Sequence, residues 1–327
     1  MATQRAAARP KLARRAVHGV LLLDKDAGVS SNAALQRAKR LLRAEKAGHT
    51  GTLDPLASGL LPLCFGAATK FAQAGLDADK RYLATLRLGV TTSTGDLEGE
   101  VVRTVAGAGV DRDALELACA RFVGEIEQVP PMHSALKHEG KPLYDYARAG
   151  VEIERSPRRV RIDAIRVVEG GGDRWTIDIA CSKGTYVRTL AADIGAALGC
   201  GAHLIALRRT ASGALDLRHA LRFDDLEALG PDALDARLLP PDALVAGWPA
   251  VALASEDAGR FLAGVRRRLD RPDAERVRVY GPAPGAFLGT GQIAGGELIA
   301  SRLLSPPEVA ALVAQRRPMP APEGLSA

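Results

Sequence analysis

The chain has 327 residues, 47% of them hydrophobic and 25% charged, the balance of a globular protein with room for one large domain or two. Its longest apolar runs, Val20–Leu23 and Gly59–Leu63 among them, fall far short of the ~20 residues that a membrane-spanning helix needs. Lys and Arg exceed Asp and Glu by 44 to 38, for a net charge of +6, which suits a polyanionic partner without requiring one.

The first fifteen residues carry five basic side chains and no acid. No apolar run follows, which excludes a secretory signal, and the serines of a transit peptide are absent. Residues 1–16 read as a flexible basic arm. His18–Asp24 (HGVLLLD) predicts a short buried strand. Ser30 or its neighbours would cap a helix carrying Leu35, Ala38, Leu41 and Leu42. Gly48–Pro62 (GHTGTLDPLASGLLP) reads as a constrained loop, neither core strand nor helix. Ala67–Leu76 predicts a short helix, and Arg81–Leu88 a strand with Tyr82, Ala84, Leu86 and Leu88 on one face. Thr91–Gly99 is turn-rich. Asp111 would cap a helix with Leu115, Ala118 and Phe122 inward.

Gln128–Gly150 breaks the pattern: irregular first, then weakly helical, it is a long excursion of the functional kind. Val160–Val168 and Trp175–Cys181 predict two strands joined by a glycine-rich turn. Thr185–Leu198 predicts a helix stopped by Gly199, and Ala202–Arg209 another strand. Past Pro240-Pro241 proline and glycine rise and elements shorten, which places a boundary near Gly247–Ala250; from Pro306 on the chain reads as a frayed tail. The alternating strands argue for a mixed or antiparallel sheet, not a doubly wound parallel one.

Four cysteines, Cys64, Cys119, Cys181 and Cys200, form no CxxC pair, so zinc and redox chemistry have little support and buried thiols in a reducing cytoplasm are expected. No GxxxxGK[ST] or strand-borne GxGxxG is present, which argues against a nucleotide cofactor. Chemistry concentrates elsewhere. Asp54 lies among Gly48, Gly51 and Gly59, and Pro55 biases it toward extended backbone. A carboxylate so held suits nucleophilic or acid–base catalysis; an Asp-Pro turn with its own side-chain hydrogen bond is the plainer alternative. Lys183, Tyr186 and Arg188 lie where a strand meets a helix, and Arg188 either pairs with a carboxylate such as Asp54, keeping it ionised, or is a surface charge. Tyr82 beside Lys80 and Arg81 either stacks on a base or packs into the core. The run Arg155–Arg166 and Arg266–Arg268 track a nucleic-acid backbone or are solvated faces. His49 either meets a base or is an incidental turn residue.

Five segments together resemble the TruB family of pseudouridine synthases, in order and spacing from about His18 to Gly213: HGVLLLDKDAGVSSNAAL, GHTGTLDPLASGLLPLCFGAATKF, KRYLATLRLGVTTSTGDLEGE, PPMHSALKHEGKPLYDYARAG and CSKGTYVRTLAADIGAALGCGAHLIALRRT. A weaker likeness from about Val251 to Leu304 is to the family's small PUA-like domain. The resemblance implies an α+β catalytic domain over 17–248, a curved, mostly antiparallel sheet with flanking helices. It implies an RNA-gripping, thumb-like insertion over 128–152, a PUA-like domain over 249–315 and a tail over 316–327. It implies a monomeric cytoplasmic isomerase that uses no metal or organic cofactor. Its partner would be the T-arm of tRNA, where it would convert uridine to pseudouridine in the T-loop at about position 55, after flipping the base out.

On the matching motifs, Asp54 would be the nucleophile, Arg188 its ion-pair partner and Tyr82 the ring on the flipped base. His49, Tyr186 and Leu207 would contact RNA, and Lys25 would support the site. Two positions depart from the family pattern: Asp26 stands where a proline is usual, and His133 where a tyrosine is usual.

Overall fold

A computed structural model describes residues 13–106, 108–134 and 136–315; the expected basic arm up to residue 12 and the tail over 316–327 lie outside them. A nine-stranded sheet organises the larger part of the chain. Its strands are β1 (Gly19–Lys25), β2 (Ala47–His49), β3 (Ser58–Phe65), β4 (Lys80–Leu88), β5 (Gly124–Gln128), β6 (Arg158–Gly171), β7 (Arg174–Cys181), β8 (Ala202–Ser212) and β9 (Leu215–Asp216). The spatial order is β1-β3-β8-β4-β7-β6-β5, with β2 on β3 and β9 on β8. Every pairing is antiparallel except β3 with β8, as the alternating strands suggested.

Five helices matter for the site: α1 (Ser31–Leu41), α2 (Ala72–Asp77), α3 (Arg112–Ala120), α4 (Leu143–Arg148) and α5 (Val187–Ala197). Ser30 and Asp111 cap α1 and α3, each accepting from the backbone N–H three residues on. Helices α3 and α5 cover one face of the sheet through Leu115, Leu190 and Ile194, packed on Leu86, Ile177 and Leu204. Helix α1 lays Ala34, Leu35 and Ala38 on Leu21, Leu61 and Leu63. All four cysteines are buried free thiols.

Three expectations are corrected. The second half of Gly48–Pro62 is not loop: Ser58–Phe65 is a strand with seven buried residues. It is flanked on both sides and buried on both faces, so it reads as a continuous apolar run and not as an alternation. Part of the turn-rich segment pairs as strands, Val90–Thr92 with Val101–Thr104. The chain after Pro306 is not frayed: Pro306–Gln315 is helical and buries Leu312, prolines being well tolerated in a first helical turn.

A separate five-stranded sheet begins at Ala250 and ends at Leu303. The two sheets share a hydrophobic cluster in which Val20, Leu22, Leu60, Cys64 and Phe71 meet Phe287, Leu304 and Leu312. Lys70 adds a polar tie, donating from Nζ to the Leu303 carbonyl at 3.2 Å and to Glu308 at 2.5 Å. Among the described residues no helix is long and apolar enough to cross a membrane.

Candidate active site

Asp54 sits on the segment between β2 and β3, and that segment is held on both sides of it. The buried Ser31 hydroxyl donates to the Leu53 carbonyl at 2.9 Å and accepts from the Leu53 N–H at 2.8 Å. On the other side the Gly28 N–H donates to the Pro55 carbonyl at 2.7 Å. The Asp54 carbonyl closes a turn by accepting from the Ala57 N–H at 3.0 Å. Its carboxylate is not spent on that turn. The side chain is 40% exposed, and Oδ2 lies 3.0 Å from Nη2 of Arg188, whose side chain is only 6% exposed. The plain Asp-Pro turn and the surface-arginine reading both fall on this pair.

Arg188 lies in the first turn of α5, and two carbonyls and two carboxylates surround its guanidinium. Besides Asp54 it meets Asp96 Oδ2 at 3.3 Å and donates to the carbonyls of Thr94 at 3.2 Å and His133 at 2.6 Å. Asp96 is itself buried, and its Oδ1 accepts from the Glu98 N–H and the Thr94 hydroxyl. A guanidinium fixed by two backbone carbonyls and ion-paired with two carboxylates holds its positive charge at one place beside the Asp54 carboxylate. His133, a departure from the family pattern, enters through its backbone carbonyl, so its side-chain identity does not alter this contact.

Tyr82, Tyr186, Leu207 and Arg188 line one cavity of about 330 Å³ next to Asp54. Tyr82 is half-buried on β4, and Leu207 comes from β8 opposite Ala84. Burial pushes the Tyr82 phenol above its ordinary pKa, and Arg209 opposes that. Tyr186 is held by the buried Gln128 amide, which accepts from its N–H at 3.0 Å and donates to its carbonyl at 3.3 Å.

His49 lines a second cavity of about 480 Å³ that Asp54 and Arg188 also border, together with Asn32 and with Tyr144 and Arg148 of α4. Burial first, then Arg209, pushes the His49 imidazole below its ordinary pKa, which favours an uncharged ring.

Lys25 is 1% exposed, so it is not on a surface. Its ammonium donates to the Asp26 carbonyl at 2.9 Å and the Val29 carbonyl at 2.6 Å, closing the turn whose Gly28 N–H holds Pro55. It supports Asp54 through the backbone. Burial lowers its pKa to about 8. Asp26, the other departure, pairs with Arg222 at 2.7 Å.

Sequence reasoning passed over Asp96, Gln128, Ser31 and Arg209. Each is a polar residue whose burial depends on distant segments, and spacing carries no such signal. The basic runs are largely engaged: Arg161 pairs with Asp79 and Asp163, Arg266 with Glu297, and Arg267 with Asp257. Lys183 pairs with Asp77 at 2.7 Å. Among the described residues no group of His, Cys, Asp or Glu side chains gathers as a metal site.

Three known families of sequence profile match the chain in succession. They are the TruB family pseudouridylate synthase N-terminal domain over residues 39–187, the tRNA pseudouridylate synthase B C-terminal domain over 188–246, and the Pseudouridine synthase II TruB C-terminal region over 249–304. A tRNA pseudouridine synthase B from Burkholderia mallei is 58% identical over 303 residues, spanning 90% of this chain and 97% of the relative. One from Ralstonia nicotianae is 56% identical over 315 residues, spanning 93% and 99%. A chain of a solved Cbf5-Nop10-Gar1 complex superposes with a TM-score of 0.70 at 26% identity, covering 89% of this chain and 86% of that one. One from an H/ACA RNP bound to a substrate RNA superposes at 0.69 and 23% identity, covering 89% and 86%, a likeness of fold. Identity of this extent along nearly the whole length places the chain in the TruB family of pseudouridine synthases.

Proposed function

We propose that this protein isomerises uridine to pseudouridine in tRNA, acting in the T-loop at about position 55 with Asp54 as nucleophile. The observation that carries the reading is one ion pair: a partly exposed carboxylate 3.0 Å from a buried arginine, at the mouth of a cavity lined by Tyr82, Tyr186 and Leu207. Close relatives named tRNA pseudouridine synthase B support the substrate class.

The chemistry follows from the geometry. A stacked uridine hides its glycosidic bond, so the base must leave the stack at a cost of a few kcal/mol. The apolar wall at Leu207 and the Tyr82 ring offset that cost by stacking, worth about 1–3 kcal/mol per base. His49, whose burial disfavours a charged ring and which lines the second cavity beside Asp54, suits contact with the RNA that the base has left. The Asp54 carboxylate, oriented by Arg188, attacks C6 of uracil or C1′ of ribose. The base turns and rejoins the sugar through C5. Tyr82 is placed to take the C5 proton that must then depart. Tyr144 and Arg148 of the insertion, which line the second cavity, would grip the T-arm.

Tritium release from tRNA carrying 5-tritiated uridine tests the reading, because only exchange of the C5 substituent frees the label. The wild type should release it and Asp54→Ala should not, while both bind tRNA. A silent wild type ends the isomerase reading; release by both ends the nucleophile assignment.

A further inference from the structure

A second buried arginine lines the same cavity, and the mechanism above leaves it without a role. Arg209 on β8 is 1% exposed. Its Nε donates to the Leu60 carbonyl at 2.7 Å and its Nη2 to the Gly51 carbonyl at 3.3 Å. Among the described residues no carboxylate lies within ion-pair distance of it. A buried cation without a counter-charge is expensive to keep, and such departures from local consistency concentrate where function needs them.

Arg209 is also the cross-strand partner of Tyr82: the two face each other in the β8–β4 register and share one side of the sheet. Both line the cavity beside Asp54. The charge on the guanidinium favours the ionised form of the phenol. We infer that Arg209 is the positioning residue that readies Tyr82 to accept the C5 proton, by holding a buried, unneutralised guanidinium opposite Tyr82 on the neighbouring strand, in the same cavity. This rests on the isomerase reading and adds an agent to its last step.

The step balances as follows. Once C5 is bonded to C1′, C5 still carries its proton. The Tyr82 phenolate takes that proton on Oη, and the C5–H electron pair restores the C5–C6 double bond. N1, freed from the sugar, takes a proton from solvent, and the phenol returns one to solvent. The bonds lost are N1–C1′ and C5–H; those gained are C5–C1′ and N1–H.

Other charges face Tyr82 as well. Asp54 from its loop and Cys181 from β7 disfavour the phenolate, and burial disfavours it most. Arg188 on α5 and Lys80 on β4 border the same cavity, as does the Tyr186 phenol. Arg188 is committed to two carboxylates, and the Lys80 ammonium to the carbonyls of Gly75, Leu76 and Ala78 at the end of α2. Arg209 is the cation left to act on the phenol.

The test follows tritium release from 5-tritiated tRNA across neutral to alkaline pH in wild type, Arg209→Gln, Arg209→Lys, and enzyme with 3-fluorotyrosine at position 82. In Arg209→Gln the rising limb should move up by about one pH unit or more, with release at neutral pH down ~10-fold or more. Affinity for tRNA should change less than ~3-fold, within ~0.7 kcal/mol. A 5-deuterium label should slow this variant more than the wild type. Arg209→Lys, which keeps the charge, should fall between. The fluorinated phenol, being more acidic, should move the limb down in the parent and restore it in Arg209→Gln. An unmoved limb in Arg209→Gln, or no response to fluorination, overturns the inference. Should Arg209→Gln not fold, the fluorotyrosine profile and Arg209→Lys decide it in the same way. A wild type that releases no tritium sinks the isomerase reading itself; an active wild type with unshifted variants sinks only the role of Arg209.

Discussion

Arg188 and Arg209 border the same cavity from different walls, one on α5 and one on β8, and both are nearly sealed from water. Their company differs. Arg188 has two carboxylates and two carbonyls, whereas Arg209 has carbonyls only. The first arrangement neutralises a buried charge and uses it as a rigid bracket. The second retains the charge, so its field reaches neighbours: Arg209 lowers the pKa of Lys25, His49, Lys80 and Tyr82. One cavity thus holds a structural cation and an electrostatic one.

The contrast is broken hardest at Arg188. Arg188→Gln strands the buried Asp96 carboxylate and frees Asp54 to turn. Stability should fall by about 3 kcal/mol or more, and tritium release by ~10³-fold, a barrier change of ~4 kcal/mol. Urea titration and single-turnover assays check both; an unchanged urea midpoint would refute the bracket. Asp96→Asn should be milder, because Arg188 keeps Asp54 and the backbone carbonyls. A ~10–100-fold slower release is expected, of the size seen when an orienting outer partner is lost, with tRNA affinity retained. If its rate matches wild type, Asp96 only fills space.

The Arg209 side is probed through Gly59, which has φ +97. A Cβ there would lie 2.3 Å from the Arg209 carbonyl oxygen and 2.8 Å from its nitrogen. Gly59→Ala should cost about 1–3 kcal/mol by forcing strained backbone and should slow release by shifting β8 against β3; a neutral result in both would show that the strand pair yields freely.

The smallest effect is on pH dependence. Lys25 and Lys80 have folded pKa values of about 8 against an ordinary 10.5. Above pH 8 the unfolded chain binds more protons, so this contribution to stability rises with pH. Above pH 9 the buried thiols of Cys64, Cys119 and Cys181, raised to about 12, 11 and 11, reverse it, because there the folded chain holds the extra protons. Urea midpoints should therefore rise modestly between pH 8 and 9 and fall beyond. A flat profile would mean that water reaches these ammonium groups.

Local pattern was enough for much of the fold. Alternation placed β4 and β7, and capping residues placed the starts of α1 and α3. It failed at β3, where Gly59 and Pro62 looked like loop residues although seven positions of the strand are buried. It failed again at the helix opened by Pro306-Pro307. Within the candidate site, Asp54, Arg188 and Tyr82 each allowed a plainer local reading, as a turn acid, a surface charge and a core ring, and it was the resemblance of the ordered segments that singled them out. Lys25 was named only through the resemblance, and its ammonium's contacts to the Asp26 and Val29 carbonyls had no local signal. Asp96 and Arg209 were not legible. Asp96 looked like any turn acid, and Arg209 like the second of two arginines ending a strand. The outward Arg208 pairs with Asp24 while Arg209 turns inward, a difference of one step of the pleat that composition cannot rank.

The cluster shared by the two sheets has a consequence for how the molecule comes apart. Phe287, Leu304 and Leu312 are packing partners of β1 and β3, and β3 directly follows the Asp54 segment. The C-terminal sheet therefore packs on the strand into which the Asp54 loop runs. Both sheets should open together as one cooperative melting unit, and a chain cut before Ala250 would leave the β1–β3 side of the shared cluster without its cover from Phe287, Leu304 and Leu312.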